Sequence, residues 1–193
     1  MNPLAPEDLM TLETYARERP AFRTRVMAHK HARRIALGEH LTLMFEDRLT
    51  VQYQVQEMLR VERIFEPTGI RDELETYNPL IPDGRNLKAT MLVEYPDPAV
   101  RRRELARLRG IEHRIYLRVA DHDDIFAIAD EDMERSNQEK TSAVHFLRFE
   151  LTGTDIEDWR SGASVLLGCR LPAHAVETAL TPEQRAALAI DFD

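Results

Sequence analysis

The hydrophobic and polar positions along this chain change period several times, and each change marks an element. Residues 49–64 read LTVQYQVQEMLRVERI. The first half alternates as a strand would, with Leu49, Val51, Tyr53 and Val55 on one side, but the alternation fails at EMLRVER. A helix survives the whole length, because no Gly or Pro interrupts residues 46–65 and Asp47 is a suitable N-cap. At about 100° per residue, Gln52, Gln56, Arg60 and Arg63 form a solvated arc. Thr50, Gln54 and Glu57 then fall in the middle of the apolar side.

Other stretches are plainer. APEDLMTLETYARE predicts a helix with Pro6 in its first turn, and a second helix follows Pro20 to about Lys30. RRIALGEHLTLMFE predicts two short strands around Gly38. GIRDELETYNPLIP is a short helix closed by Pro79 and Pro82. In NLKATMLVEYP, Ala89, Met91, Val93 and Tyr95 share one face of a strand. DPAVRRRELARLRG is a helix ending at Gly110. RIYLRVADHDDIFAIA is a hairpin turning at Asp121 to Asp124, and the polar run DEDMERSNQEK is loop or short helix. SAVHFLRFEL is apolar on both faces, as a central strand is. A helix (TDIEDWRSG), a strand (ASVLLGC) and a terminal helix (TPEQRAALAI) complete the chain. Helices interleaved with hairpins predict an α+β fold: one globular domain over residues 1–193, with a mixed, mostly antiparallel sheet packed by helices. Helices at about 6–30 pack on that core.

Candidate chemistry follows from polar groups on apolar faces. A carboxylate moved out of water costs several kcal/mol unless it is paired, protonated or metal-bound. Glu57 is therefore either a structural ion-pair partner for an Arg or Lys from the sheet, or a general base or metal ligand. Gln54 is its helical neighbour, and Glu46 and Arg48 would form the rim of a site between the 49–64 helix and the sheet. His145 lies on an apolar strand face, as a hydrogen-bonded core residue, a ligand or a proton shuttle. Arg148 points to the opposite layer and suits a carboxylate such as Glu57 or Glu94. The catalytic candidates are thus Glu57, Gln54, His145 and Arg148; the metal candidates are Glu57 and His145, with iron, zinc or manganese as the ion. His29 and His31 sit two apart on a helix and diverge by about 200°. The basic run Arg17–Arg34 reads as a solvated face.

Composition narrows the classes. The 193 residues carry a net charge of −8, against broad nucleic-acid or anionic-membrane binding. One cysteine, Cys169, excludes a disulfide framework and a cysteine-built zinc site. No apolar run approaches the ~20 residues that span a bilayer, and MNPLAPEDLMTLETYARERP lacks a signal peptide's pattern, so a cytoplasmic protein is expected. Nucleotide-binding glycine motifs, G-x-S-x-G and H-E-x-x-H are absent.

LTLMFEDRLTVQYQVQEMLRVERI, YNPLIPDGRNLKATMLVEYPD and KTSAVHFLRFEL resemble the hallmark segments of an uncharacterised bacterial family, domain of unknown function 3501. The resemblance covers nearly the whole chain and carries over no catalytic residue. It implies a soluble bacterial protein, often encoded near rubrerythrin-like and iron–sulfur proteins. Two readings follow: an accessory or binding protein serving a redox partner in oxidative-stress metabolism, and a small metal-dependent or general acid/base enzyme.

Overall fold

The computed structural model describes residues 2–131, 135–136 and 139–192. The fold is α+β, and the expected sheet is divided in two. Nine strands are formed among the described residues: β1 (Arg34–Ala36), β2 (Leu41–Glu46), β3 (Asn86–Val93), β4 (Ile115–Val119), β5 (Ile125–Phe126), β6 (Ile128–Ala129), β7 (Val144–Glu150), β8 (Val165–Cys169) and β9 (Val176–Ala179). The first sheet has the order β1-β2-β3-β7-β6 and the second β5-β4-β8-β9. Every pairing is antiparallel. The helices are α1 (Leu12–Ala32), α2 (Arg48–Glu62), α3 (Pro67–Tyr77), α4 (Pro98–Arg107), α5 (Gly153–Arg160) and α6 (Pro182–Ala189).

Side-chain alternation places the core. On β3, Leu87, Ala89, Met91 and Val93 are buried while Lys88, Thr90 and Leu92 face the other way. On β7, His145, Leu147 and Phe149 point inward. These residues meet Leu117, Val119, Val165 and Leu167 of the second sheet in one continuous cluster. Each fully buried aliphatic or aromatic side chain contributes about 1.5–3 kcal/mol of hydrophobic stabilisation, so this shared interior is what joins the sheets. The outer face of the first sheet looks toward α2 and α3, which form their own apolar cluster through Val51, Val55, Leu59, Leu74 and Ile81.

Helix α2 confirms the helical reading of residues 49–64. Asp47 caps it, accepting from Thr50 N at 2.9 Å while Thr50 Oγ1 accepts from Asp47 N at 2.9 Å. It stops where Arg63 turns left-handed at φ 57°. Three expectations are corrected. α1 is continuous through Pro20, because Tyr15, Phe22 and Val26 on both sides of the proline pack as one face against Leu49 and Tyr53. The arc assigned to solvent is half covered: Gln56 is fully buried, its side chain bonded both ways to the Met10 backbone. The RIYLRVADHDDIFAIA hairpin forms, but its second arm changes sheets: Ile125–Phe126 pairs with β4, Ala127 is buried at the crossing, and Ile128–Ala129 pairs with β7. The expected DEDMERSNQEK segment falls partly on 132–134 and 137–138, outside the described residues. No helix among the described residues is long and apolar enough to cross a membrane.

Candidate metal centre

The sheet-changing arm delivers a carboxylate to His145. Immediately after β6, Asp130 adopts φ 50°, a left-handed conformation that Asp tolerates better than most residues. Its N–H donates to Phe146 O at 2.9 Å, and its Oδ1 accepts from Phe146 N at 3.0 Å. Thus anchored to β7, Asp130 Oδ2 lies 2.5 Å from His145 Nδ1. A contact this short places a proton between the two groups, and a metal ion bound to both would take its place. Nε2 faces Thr141 Oγ1 at 2.8 Å and Ser142 O at 3.2 Å.

A second carboxylate arrives from another element. The single-turn 3-10 helix Ile111–His113 follows Gly110, and its Glu112 is almost fully buried. Glu112 accepts from Thr141 Oγ1 at 3.2 Å and from Ser136 Oγ, and the two hydroxyls are 2.8 Å apart. Burial pushes the Glu112 carboxyl up, but the Ser136 hydrogen bond and the nearby His145 and His113 hold it below its ordinary value. It is therefore a carboxylate at neutral pH. Arg135 stands 3.5 Å from Asp130 Oδ1 and 4.6 Å above the Phe146 ring.

Among the described residues, Glu112, Asp130 and His145 are the group whose ligand atoms all lie within 4.8 Å of one another. A first-row divalent ion holds N and O ligands at about 2.0–2.2 Å, so a modest contraction would close the three around one ion. A pocket of about 260 Å³, lined by Glu112, His113, Asp130, Arg135 and Ser136, gives access.

The residues singled out from the sequence separate into distinct places. His145 is fully buried at this centre. Glu57 is not there. It faces α1, where Arg19 grips it from Nε at 2.7 Å and Nη2 at 2.8 Å and Tyr15 Oη donates at 2.6 Å. The expected partner from the sheet is replaced by one from a helix, and the expected Glu57–His145 pair does not form a common centre. Arg148 lies on the outer face, paired with Glu131 at 2.8 Å and with Glu150, not with Glu57 or Glu94. Gln54 and Glu46 line a hollow between α2 and the sheet. Arg48 turns away to Asp8 at 2.6 Å. Glu112 and Asp130 went unnoticed in the sequence: their positions with His145 come from three elements and make no spaced motif.

Arg19 above all, then Tyr15 and Arg60, holds the Glu57 carboxyl down to about 2, against the opposing effect of burial. This depressed value adds stability above the ordinary carboxylate pKa of 4.5, lost as pH falls toward 2. Glu57→Gln is expected to lower the urea midpoint at pH 7, with the gap to the parent closing between pH 4.5 and 2. A gap that stays constant over that window would refute the ion-pair account.

A protein-family model described as Protein of unknown function (DUF3501) matches residues 3–192. The chain belongs to the DUF3501 family. A crystal structure titled as a novel protein of unknown function from Burkholderia pseudomallei K96243 is 48% identical, covers 100% of both chains and superposes with a TM-score of 0.94. No curated protein matches the chain. The family assignment agrees with the resemblance drawn from the three hallmark segments.

Proposed function

We propose that this DUF3501 protein is metal-dependent and that Glu112, Asp130 and His145 bind one first-row divalent ion. The convergence of two carboxylates and one imidazole from three elements, with both carboxylates lining a pocket, carries the reading. Mixed oxygen and imidazole ligation suits manganese, iron or zinc more than calcium or copper(I). The surrounding bonds would support such a set: an ion shared by Asp130 and His145 Nδ1 would take the place of the proton between them, Nε2–H would donate to Ser142 O, and Thr141 and Ser136 hold Glu112. The ion's identity bears on the redox partnership implied by the family resemblance. Iron or manganese would fit a protein serving oxidative-stress metabolism, whereas zinc would fit acid/base or Lewis-acid chemistry.

Elemental analysis of the purified chain, followed by calorimetric titration of the chelated protein with Mn²⁺, Fe²⁺ and Zn²⁺, tests the reading. One ion per chain is expected, with affinity falling about 100-fold or more in His145→Ala and Glu112→Gln and unchanged in Glu57→Gln. Equal uptake by the His145 and Glu112 variants, or no uptake by the parent, overturns it. A protein that takes up no ion would leave a different use for the same groups: the hydrogen-bonded path Asp130–His145–Thr141–Ser136 as an acid/base relay opening on the pocket.

A further inference from the structure

The outer face of the first sheet holds a second cavity, on the other side of β7 from His145 and sharing Arg135 with the lining of the first pocket. His145 points to one side of that strand; Phe146 and Arg148 point to the other. The cavity measures about 520 Å³, within the usual range for small-molecule sites. Tyr77, Pro79 and Leu80 wall it from the α3 side, and Ile128 and Phe146 from the sheet. Tyr77, Leu80 and Phe146 also line the neighbouring hollow of about 320 Å³ beneath α2, where Met44, Leu92 and Val144 add apolar lining. The two adjacent hollows together make a trough along the sheet face.

The lining carries Lys30, Lys88, Arg135 and Arg148 and the carboxylates of Glu46 and Glu131; of the cations, Lys88 and Arg148 stand side by side as direct cross-strand partners. Their situations differ. Arg148 is committed to Glu131 and Glu150. Among the described residues, Lys88 Nζ donates to Pro79 O at 2.6 Å and has no carboxylate at ion-pair distance. An ammonium has three donors, so two remain for a ligand. Burial, aided by Arg148, pulls the Lys88 pKa below its ordinary value, against the opposing effect of Asp83, Glu131 and Glu150. Like charges facing across a strand pair are unfavourable, and an anion beside Lys88 would relieve that.

We infer that this trough binds an amphipathic monocarboxylate, its alkyl or aryl body lying along Tyr77, Leu80 and Phe146 and its carboxylate on the Lys88 ammonium. The inference is independent of the metal reading. The ligand's apolar length provides burial, and the charge-assisted hydrogen bond selects the acid over its neutral analogue.

Displacement of 1-anilinonaphthalene-8-sulfonate fluorescence by octanoate, octan-1-ol and octylammonium tests it. Octanoate is expected to displace the dye about tenfold more tightly than octan-1-ol, and octylammonium more weakly still. Lys88→Met should bring octanoate down to the level of octan-1-ol while leaving octan-1-ol unchanged, and Leu80→Trp should block both. Equal displacement by all three compounds, absence of displacement, or full octanoate preference in a folded Lys88→Met protein overturns the inference. If Lys88→Met does not fold, the ranking of the three compounds on the parent protein decides alone.

Discussion

Arg33→Met is expected to cost about 3–5 kcal/mol at pH 7, the range for removing one partner of a buried ion pair. Arg33 is fully buried. Its guanidinium donates to Phe45 O at 3.0 Å, Glu46 O at 3.1 Å and Ala187 O at 2.8 Å, and it contacts Asp191 directly, with Asp47 at 3.6 Å. One side chain thus joins the end of α1 to β2, α6 and the final turn. Methionine fills much of the same volume and supplies none of those donors. Two buried carboxylates would be left with His29, 2.5 Å from Asp47, as the remaining nearby counter-charge.

The loss should depend on pH with a definite sign. Burial pushes the Asp191 carboxyl up to about 6, with Arg33 opposing and Asp47 adding to the rise. Its folded value exceeds its unfolded value, so the stability it contributes is present below pH 3.8 and is lost as pH rises through about 6. Without the guanidinium this rise is larger. The Arg33→Met deficit is therefore expected to be greatest above pH 6 and to shrink toward pH 4. Urea denaturation at pH 7 and pH 4.5 checks both statements. A deficit below about 1 kcal/mol, or one equal at the two pH values, would show that the cluster does not act as described.

Gly168→Val is expected to cost about 3 kcal/mol, the upper end of ordinary overpacking. Gly168 on β8 is the register partner of Tyr116 on β4. A Cβ at this position would sit 2.3 Å from both Cζ and Oη of Tyr116, closer than unbonded atoms tolerate. The ring cannot easily swing aside. It is almost fully buried, its hydroxyl is bonded to Glu177, and the Arg170 guanidinium stacks 4.5 Å from its centre. The strain is specific to this pair, so Gly168→Val placed in a Tyr116→Leu background should cost distinctly less than in the parent. Melting temperatures of the four proteins in that cycle measure the coupling; additive losses would refute it.

Local pattern carried much of the architecture and little of the candidate site. Strand β3 showed its buried face through simple alternation, and α2 was legible because no breaker interrupts it and Asp47 caps it. Pro20 misled, since a helix break read from one residue ignores the packing of Tyr15, Phe22 and Val26 on either side of it. Arg33 misled for a related reason. It looks like one more charge in a basic run, yet it continues the helix face that carries Phe22 and Val26, and only distant backbone carbonyls and Asp191 make that place tenable. Glu57 was correctly singled out as a carboxylate in need of a partner, but periodicity shows which side of a helix a residue takes, not which element covers that side. His145 was found because a histidine on an apolar strand stands out. Its companions lie 15 and 33 positions earlier and became neighbours only when the second hairpin arm crossed between sheets.

That crossing has a kinetic consequence. β4 and β5 belong to one sheet, β6 and β7 to the other, and β8 and β9 return to the first of these two, so the chain weaves between layers that share a single interior. The central β3–β7 ladder joins Asn86 to Glu150, and no short loop can close it. Such long-separation pairing must meet its entropic cost before contacts repay it, which places the chain among slow folders, in the millisecond-to-second range or beyond at about this size. The strands of the two sheets alternate along the chain and pack on one interior, so partial unfolding would not release one sheet cleanly and leave the second intact.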